Sequence, residues 1–230
     1  MERKERCWYS EVCEYQNCDN CIRFEEMEFL MQSSGIPEVL QKSPRLLASE
    51  EDYEAYCRLA DIKDDIISYV SMGCNLYICS RQVGNGKTSW AIKLMLRYFD
   101  QIWAGNGFNV RGLFIHTPTL LLKAKDFNNP LDTSFKNNLL EADLVIWDDI
   151  ASTNISAYDL SQLLMYIDHR TISKKSNIYT GNMASINTLK KEVGDRIASR
   201  IWNCSEIVEF KGKDRRSNGS ITDNQQDISD

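Results

Sequence analysis

Residues 80–96 read SRQVGNGKTSWAIKLML, and the GNGKT within this stretch decides the fold. Glycines at this spacing leave backbone N–H groups free to point at phosphate oxygens, with a helix N-terminus behind them. Lys87 would reach the β- and γ-phosphates of a nucleotide, and the Thr88 hydroxyl would bind Mg²⁺. The first glycine of the usual motif is replaced here by Arg81.

The sequence on either side of this loop favours a phosphate-binding function. Residues 76–79 form a short apolar run between polar residues, which predicts a buried strand before the loop. Residues 89–99 have helical periodicity, so a strand, the loop and a helix follow one another. The opening glycine shapes a turn and contacts no phosphate. We therefore expect the loop to bind nucleotide despite Arg81.

The rest of the chain alternates short apolar runs with stretches of helical periodicity. Further strands are predicted at 113–115, 144–147, 177–180 and 207–210, and helices at 51–70, 117–125 and 155–172. Strands that alternate with helices favour parallel pairing. The sequence therefore predicts an α/β fold of three layers, with a central parallel five-stranded sheet.

Composition limits the partners that the chain can have. The 230 residues are 43% hydrophobic and 26% charged, which suits one α/β domain with a small appendage. The net charge of −6 argues against non-specific coating of nucleic acid, so any such contact needs a local basic patch. No apolar run has the length of a membrane span, and the charged N-terminus leads into no hydrophobic segment, so we expect a cytoplasmic protein.

Two carboxylates follow the apolar run at 144–147. Asp148 is in the position to hold Mg²⁺, and Asp149 is in the position to orient an attacking water. Helix-capping or surface aspartates are the alternative, which Lys87 upstream makes the weaker one.

Asn182 follows the fourth predicted strand and would lie between strand ends, within reach of a γ-phosphate or the attacking water. Arg196 and Arg200 are four residues apart and therefore share one helix face. A guanidinium matches phosphate geometry, so either arginine could reach a neighbour's nucleotide. A solvated basic face is the alternative for this pair.

The order of GNGKTS, LVIWDDI, NIYTGN, GDRIASRIW and KGKDRR resembles that of the AAA+ ATPases, within the ASCE group of P-loop NTPases. Within that family it resembles the bacterial and phage helicase loaders of the DnaC/DnaI type, over about residues 50–216. It implies ATP and Mg²⁺ as cofactors and little or no helical lid. The family usually has Glu where this chain has Asp149.

The resemblance also assigns roles to residues. The catalytic group is Lys87, Asp148, Asp149, Asn182 as sensor I and Arg200 as arginine finger. The nucleotide-binding group is Gly84, Asn85, Gly86, Lys87, Thr88, Ser89 and a sensor II arginine, Arg215 or Arg216. The Mg²⁺ ligands are Thr88 and Asp148.

Four cysteines near the N-terminus, Cys7, Cys13, Cys18 and Cys21, have the spacing C-x5-C-x4-C-x2-C. The last pair has the spacing that lets two thiolates grip Zn²⁺, and four thiolates would complete a tetrahedron. Reduced cysteines without a metal are the alternative. Some loaders carry a zinc-bearing N-terminal module that docks on the helicase. We therefore predict a small zinc-binding, helicase-interaction module at 1–35, a linker at 36–50, an ATPase domain at 51–216 and a disordered tail at 217–230.

The resemblance implies an ATP-dependent loader of a replicative DnaB-type helicase onto single-stranded DNA, working as an ATP-dependent homo-oligomer. Basic and aromatic residues between the second and third strands are candidates for DNA contact: Lys123, Lys125, Phe127, Phe135 and Lys136. An IstB-type transposition helper is one alternative, against which the cysteines argue. A small-molecule phosphotransferase would need an acceptor pocket and a lid. A degenerate ATPase acting as an adaptor stays open because of Arg81 and Asp149.

Overall fold

The structure, a computed structural model, describes residues 7–10, 12–14, 18, 20–41, 46, 48–124, 132–151 and 156–213. Five parallel strands form one sheet in the order β2-β3-β4-β1-β5. These strands are β1 (Asn75–Ser80), β2 (Gly112–His116), β3 (Leu144–Asp148), β4 (Ser176–Gly181) and β5 (Ser205–Phe210). The predicted parallel five-stranded sheet is confirmed, and each strand extends slightly beyond its apolar run.

Eight α-helices surround the sheet in the described ranges. They are α1 (Ile22–Ser33), α2 (Tyr53–Asp64), α3 (Ile66–Ser71), α4 (Lys87–Ile102), α5 (Thr117–Ala124), α6 (Thr133–Glu141), α7 (Ala157–Ile172) and α8 (Ile186–Cys204). None of the helices described here is long and apolar enough to cross a membrane.

Two hydrophobic clusters show the three layers. One cluster joins α1–α4 to one face of the sheet, and the other joins α5–α8 to the opposite face. Neighbouring strand residues alternate between them: Ile146 belongs to the first cluster and Trp147 to the second. All of β1, β3 and β4 is buried, as expected for parallel strands covered on both faces.

Two helices differ from the sequence prediction. The single helix predicted at 51–70 is broken at Asp65, whose ψ of 36° lies outside the helical range and separates α2 from α3. Helix α8 is interrupted at Gly194, which has a φ of 76° and a ψ of 161°. This left-handed backbone favours glycine, so the residues that follow it form a second helical segment with its own direction.

Helix α1 was not anticipated from the sequence, which predicted only a small zinc-binding module at 1–35. Phe24, Met27, Leu30 and Met31 are buried, and three of them lie in the same cluster as α4. The carbonyl of Ser34 accepts a hydrogen bond from the Phe114 amide over 2.7 Å. The residues after the cysteines therefore pack on the central sheet, and the domain limits at residues 35 and 50 stay a prediction.

Candidate functional site

The loop between β1 and α4 has the backbone geometry of a phosphate-binding loop. Gly84 and Gly86 have φ values of 72° and 97°, in the left-handed region that favours glycine. Gly86 precedes the first turn of α4, so the N-terminus of a 16-residue helix faces the loop. Lys87 is 7% exposed, and its ammonium donates to the Gln82 carbonyl at 3.1 Å and to Asn85 Oδ1 at 3.2 Å.

Arg81 does not disturb this geometry. Among the described residues, positive φ values outside glycine occur only at Phe108, Asp149 and Lys174, so the backbone at residue 81 needs no glycine. The Arg81 side chain is 80% exposed, with its nearest carboxylate, Glu209, at 3.8 Å. The turn is closed instead by the Ser80 hydroxyl, which accepts from the Gln82 amide at 3.0 Å and from the Asn85 side chain.

Thr88 and Asp148 lie in contact. Thr88 Oγ1 donates to Asp148 Oδ1 over 2.8 Å, and Thr180 Oγ1 donates to the same oxygen over 2.7 Å. Burial raises the pKa of the Asp148 carboxyl above its ordinary value, although the two hydroxyls oppose the shift. A hydroxyl beside a desolvated carboxylate is a donor set that suits Mg²⁺, and both residues were predicted as its ligands.

Asp149 has an unusual backbone conformation, with a φ of 53°. Its amide donates to Thr180 Oγ1 at 3.1 Å, and its half-exposed carboxylate lies 3.8 Å from His116 Nε2. His116 is in turn held through Nδ1 by Thr119 Oγ1 at 2.7 Å. The second carboxylate therefore projects from a strained turn beside an imidazole, which is a typical arrangement at functional sites.

Asn182 comes directly after β4, the strand between β1 and β3. Because Gly181 pairs with Cys79 of β1, Asn182 lies beside the phosphate-binding loop. Its Oδ1 atom is buried and has no hydrogen-bond partner in the described part of the chain. Such an acceptor is costly in a folded protein, and the contact with a nucleotide or water predicted for Asn182 would satisfy it.

The arginines lie elsewhere. Arg196 and Arg200 are exposed on the second segment of α8, which leads directly into β5 at the amino edge of the sheet. The loop of residues 81–86 lies at the opposite, carboxyl edge. Arg200 Nε donates to Asp168 Oδ1 over 2.6 Å. The structure thus does not bring Arg200 to the Lys87 site of its own chain. The predicted sensor II residues, Arg215 and Arg216, lie outside the described residues.

The zinc prediction is not supported. Cys7, Cys13, Cys18 and Cys21 are all described, yet no group of three or more His, Cys, Asp or Glu residues there could hold a metal ion. The side chains of Trp8 and Tyr9 instead hold this segment against neighbouring helices. Trp8 lies 5.8 Å from the Phe24 ring, and the Tyr9 hydroxyl donates to Asp100 at 2.6 Å. These side-chain contacts therefore hold the segment for which a zinc site was predicted.

Two residues near the carboxylates were missed in the sequence analysis, His116 and Thr180. Each stands at the carboxyl end of a buried strand, β2 or β4, and each is polar at the end of an apolar run. Parallel α/β sheets bind ligands at that edge, so a polar residue closing an apolar run was the available signal.

No protein-family model matches the chain, and no curated protein matches it. Solved structures do. The crystal structure of the DnaC helicase loader matches with a TM-score of 0.65 at 18% identity, over 76% of this chain and 100% of the other. The crystal structure of DnaI gives 0.63 at 14%, over 77% and 95%. AMPPCP-bound DnaA from Aquifex aeolicus gives 0.59 at 16%, over 76% and 51%.

These structural matches and the geometry of the loop define the class of fold: the chain has the three-layer parallel α/β architecture of the DnaC, DnaI and DnaA structures, with a loop of phosphate-binding geometry after β1. Within that class its fold resembles those of the DnaC and DnaI proteins, as the motif order predicted.

Proposed function

We propose that the chain is an ATPase that loads a replicative DnaB-type helicase onto single-stranded DNA during replication initiation. The observation that carries the ATPase proposal is the contact between Thr88 and Asp148, with Lys87 in the same loop. Residues 60 positions apart in sequence meet there through a single 2.8 Å hydrogen bond. This meeting needs the whole sheet to be formed, so chance similarity of a short motif does not explain it.

Each residue of the site has a place in ATP hydrolysis. The backbone amides of the loop and the Lys87 ammonium would hold the phosphates, and Thr88 and Asp148 would hold Mg²⁺. The metal ion, when bound, supplies positive charge to neutralise the phosphate oxygens. Asp149 would orient the attacking water, and the unpartnered Asn182 oxygen would accept a hydrogen bond from that water.

Arg200 would act on ATP bound to a second copy of the chain. A six-residue strand is about 20 Å long, so the two edges of the sheet are far apart compared with one side chain. Arg200 lies toward the amino edge, and its contact Asp168 lies one turn before the end of α7. Its position suits contact with a nucleotide held by a second copy of the chain rather than by its own loop, which supports the proposal of an ATP-dependent homo-oligomer.

The similarity of fold to other proteins supports the two proposed partners, a DnaB-type helicase and single-stranded DNA. One similar structure is the DnaC helicase loader, and another is a DnaA bound to AMPPCP and single-stranded DNA. Lys123 on α5 is exposed and free to contact DNA, and Lys136 on α6 is half-buried. Phe135 packs partly against the core, which is the ordinary structural role for that residue. Lys125 and Phe127 lie outside the described residues.

An IstB-type transposition helper is the second candidate. The predicted zinc module argued against it, and that argument is weakened because the four cysteines form no metal-holding group where the structure describes them. The two candidate functions differ in their need for a helicase, because only a loader acts on one.

The decisive experiment mixes two inactive variants. Lys87→Ala subunits lack a working site but keep Arg200, and Arg200→Ala subunits keep the site but lack the finger. Together they should regain part of the ATPase activity that each has lost. Lys191→Ala, an exposed cation on the same helix, serves as the control and should keep wild-type activity. A mixture as inactive as either variant would overturn the shared active site.

Loading itself is measured as helicase retained on circular single-stranded DNA after gel filtration. Wild-type protein with ATP should increase retention of a DnaB-type helicase, and Lys87→Ala should not. ATP-dependent DNA binding with no effect on the helicase would favour the transposition helper instead.

A further inference from the structure

The contact between Arg200 and Asp168 uses only one edge of the guanidinium. Nε donates to Asp168 Oδ1 over 2.6 Å, and the two terminal nitrogens have no hydrogen-bond partner in the described part of the chain. The arginine side chain is 46% exposed, against 25% for the aspartate. A guanidinium has five donors in one plane, so fixing Nε fixes the plane while four N–H groups remain available.

Asp168 lies near the end of α7, on a rigid part of the molecule. Arg170, two residues further along α7, is fully buried. Its NH1 group donates to the carbonyls of Leu139 and Ala142 at 2.9 and 2.8 Å, and NH2 donates to the Ser176 carbonyl at 2.7 Å. The last turn of α7 is therefore tied both to α6 and to the start of β4, and the Asp168 carboxylate is held from a fixed backbone.

An arginine on a mobile surface side chain is a poor catalyst, because its ordering must occur during the reaction. Positioning a group in advance contributes to rate, and a misplacement of about 1 Å can cost about 100-fold. The Asp168 carboxylate orders the guanidinium through Nε and leaves its two terminal nitrogens available to bind a phosphate.

We propose that Asp168 is a positioning residue for Arg200: it holds Nε so that the two terminal nitrogens face the γ-phosphate of ATP bound to a second copy of this chain. This inference rests on the proposed function, because it requires Arg200 to act in trans. Asp168 touches neither ATP nor water in this scheme and acts only through the guanidinium.

The first test compares Asp168→Ala, Asp168→Asn and Asp195→Ala. Asp195 is a matched control, since it is an exposed carboxylate on α8 that pairs with Lys190 at 3.5 Å and does not contact Arg200. Asp168→Ala should lower kcat about 10- to 100-fold and leave the Kd for the fluorescent analogue mant-ATP unchanged. Asp168→Asn keeps an acceptor oxygen in place and should recover most of kcat. Asp195→Ala should match the wild type.

The second test assigns the defect to the donated arginine. Arg200→Ala subunits are mixed either with Lys87→Ala or with the double variant Lys87→Ala, Asp168→Ala. The double variant supplies an arginine without its positioning partner, so its mixture should regain about 10- to 100-fold less ATPase activity.

The outcomes separate this inference from the proposed function. If the simple mixture regains activity and the double-variant mixture regains as much, Asp168 does not position Arg200, although the shared site stands. If Arg200→Ala alone keeps full activity, the finger and this inference both fail. If Asp168→Ala raises the ATPase activity of dilute protein, Asp168 restrains the arginine, and the positioning role is overturned.

Discussion

The Thr180 hydroxyl bridges the Asp148 carboxylate and the backbone of Asp149: it donates to Asp148 Oδ1 over 2.7 Å and accepts from the Asp149 amide over 3.1 Å. Strand β4, which carries Thr180, lies between the strand of the phosphate-binding loop and the strand of the carboxylates. One side chain of the central strand therefore sets the position of both acids.

Replacing Thr180 with valine should impair hydrolysis more than binding. Valine keeps the shape but leaves the Asp149 amide without its acceptor, so the turn with the strained φ loses its support. A buried donor left without a partner costs about 1–3 kcal/mol, and we expect a matching loss in the free energy of unfolding. The measurements are urea denaturation and kcat. Thr171→Val, whose hydroxyl donates to a carbonyl of its own helix, is the control; equal losses in the two variants would contradict the bridging role.

Asp148→Asn should stabilise the protein while removing its activity. Burial raises the folded pKa of Asp148. For an acid with a raised folded pKa, the charge opposes folding, and stability is lost as pH rises above the ordinary aspartate range. At pH 7 the neutral asparagine removes that penalty and can still accept from Thr88 and Thr180.

We expect Tm of Asp148→Asn to rise by about 2–4 °C without ATP or Mg²⁺, the shift that about 1 kcal/mol gives in a chain of this size. Calorimetry measures it, and the gain should shrink at pH 4 because the wild-type carboxyl is then protonated in a larger fraction. Mg²⁺-dependent ATP hydrolysis should be lost. A fall in Tm at pH 7 would show that the charged form is favoured by its surroundings.

Arg81→Gly should leave nucleotide affinity almost unchanged. The Arg81 side chain is exposed and its backbone needs no glycine, so the change should fall within the roughly ±0.5 kcal/mol typical of surface substitutions. Lys87→Ala should weaken mant-ATP binding about 10- to 100-fold, because charged hydrogen bonds of about 1.5–3 kcal/mol are lost. If Arg81→Gly bound mant-ATP ten times more tightly than the wild type, Arg81 would be shown to hinder nucleotide binding by the loop.

Arg170→Ala should strongly destabilise the fold. Burial lowers the pKa of Arg170 to about 10, so the side chain is still charged at pH 7 and is held by carbonyl groups and Asn177. Its loss removes the buried donor to several carbonyls, while Asn177 Oδ1 keeps the hydrogen bond from Trp147 Nε1. We expect a cost of about 3 kcal/mol or more by chemical denaturation, because each buried acceptor left without a donor costs about 1–3 kcal/mol. Arg58→Ala, an exposed arginine paired with Glu206, should cost less than about 1 kcal/mol. If both variants lost a similar free energy of unfolding, the buried hydrogen bonds of Arg170 would not have the stabilising role assigned to them.

Removing metal should not loosen the N-terminal segment. Tyr9 and Arg23 share the Asp100 carboxylate, and the Arg23 guanidinium lies 3.3 Å from the centre of the Tyr9 ring. Chelation should therefore leave Tm unchanged, whereas Arg23→Ala should lower the free energy of unfolding by about 1 kcal/mol. One zinc ion per chain by elemental analysis, together with a lower Tm after chelation, would restore the metal prediction.

The features that sequence predicted well are local ones. The GNGKT loop and the apolar run before Asp148 are short, continuous signals whose meaning depends on few neighbours, and the parallel sheet follows from their alternation with helices. The structure places those signals together at one edge of the sheet.

The features that were missed depend on distant contacts. Helix α1 has little sequence periodicity, and its core role appears only where Met27 and Leu30 meet the sheet layer. The contacts of His116 and Thr180 with Asp148 and Asp149 likewise depend on a neighbouring strand. The cysteine spacing suggested a metal because spacing alone cannot show where Trp8 and Tyr9 pack.

The hydrogen bond from the Phe114 amide to the Ser34 carbonyl has a consequence for solubility. Strand β2 is an outer strand, and an uncovered outer strand offers unpaired backbone groups to any passing chain. The end of α1 and the residues that follow it shield that side, where Met31 and Ile36 are buried. A fragment cut after residue 35 would lose most of this shield and expose the edge of β2 as a template for aggregation, so the N-terminal segment also protects the central sheet from pairing with other copies of the chain.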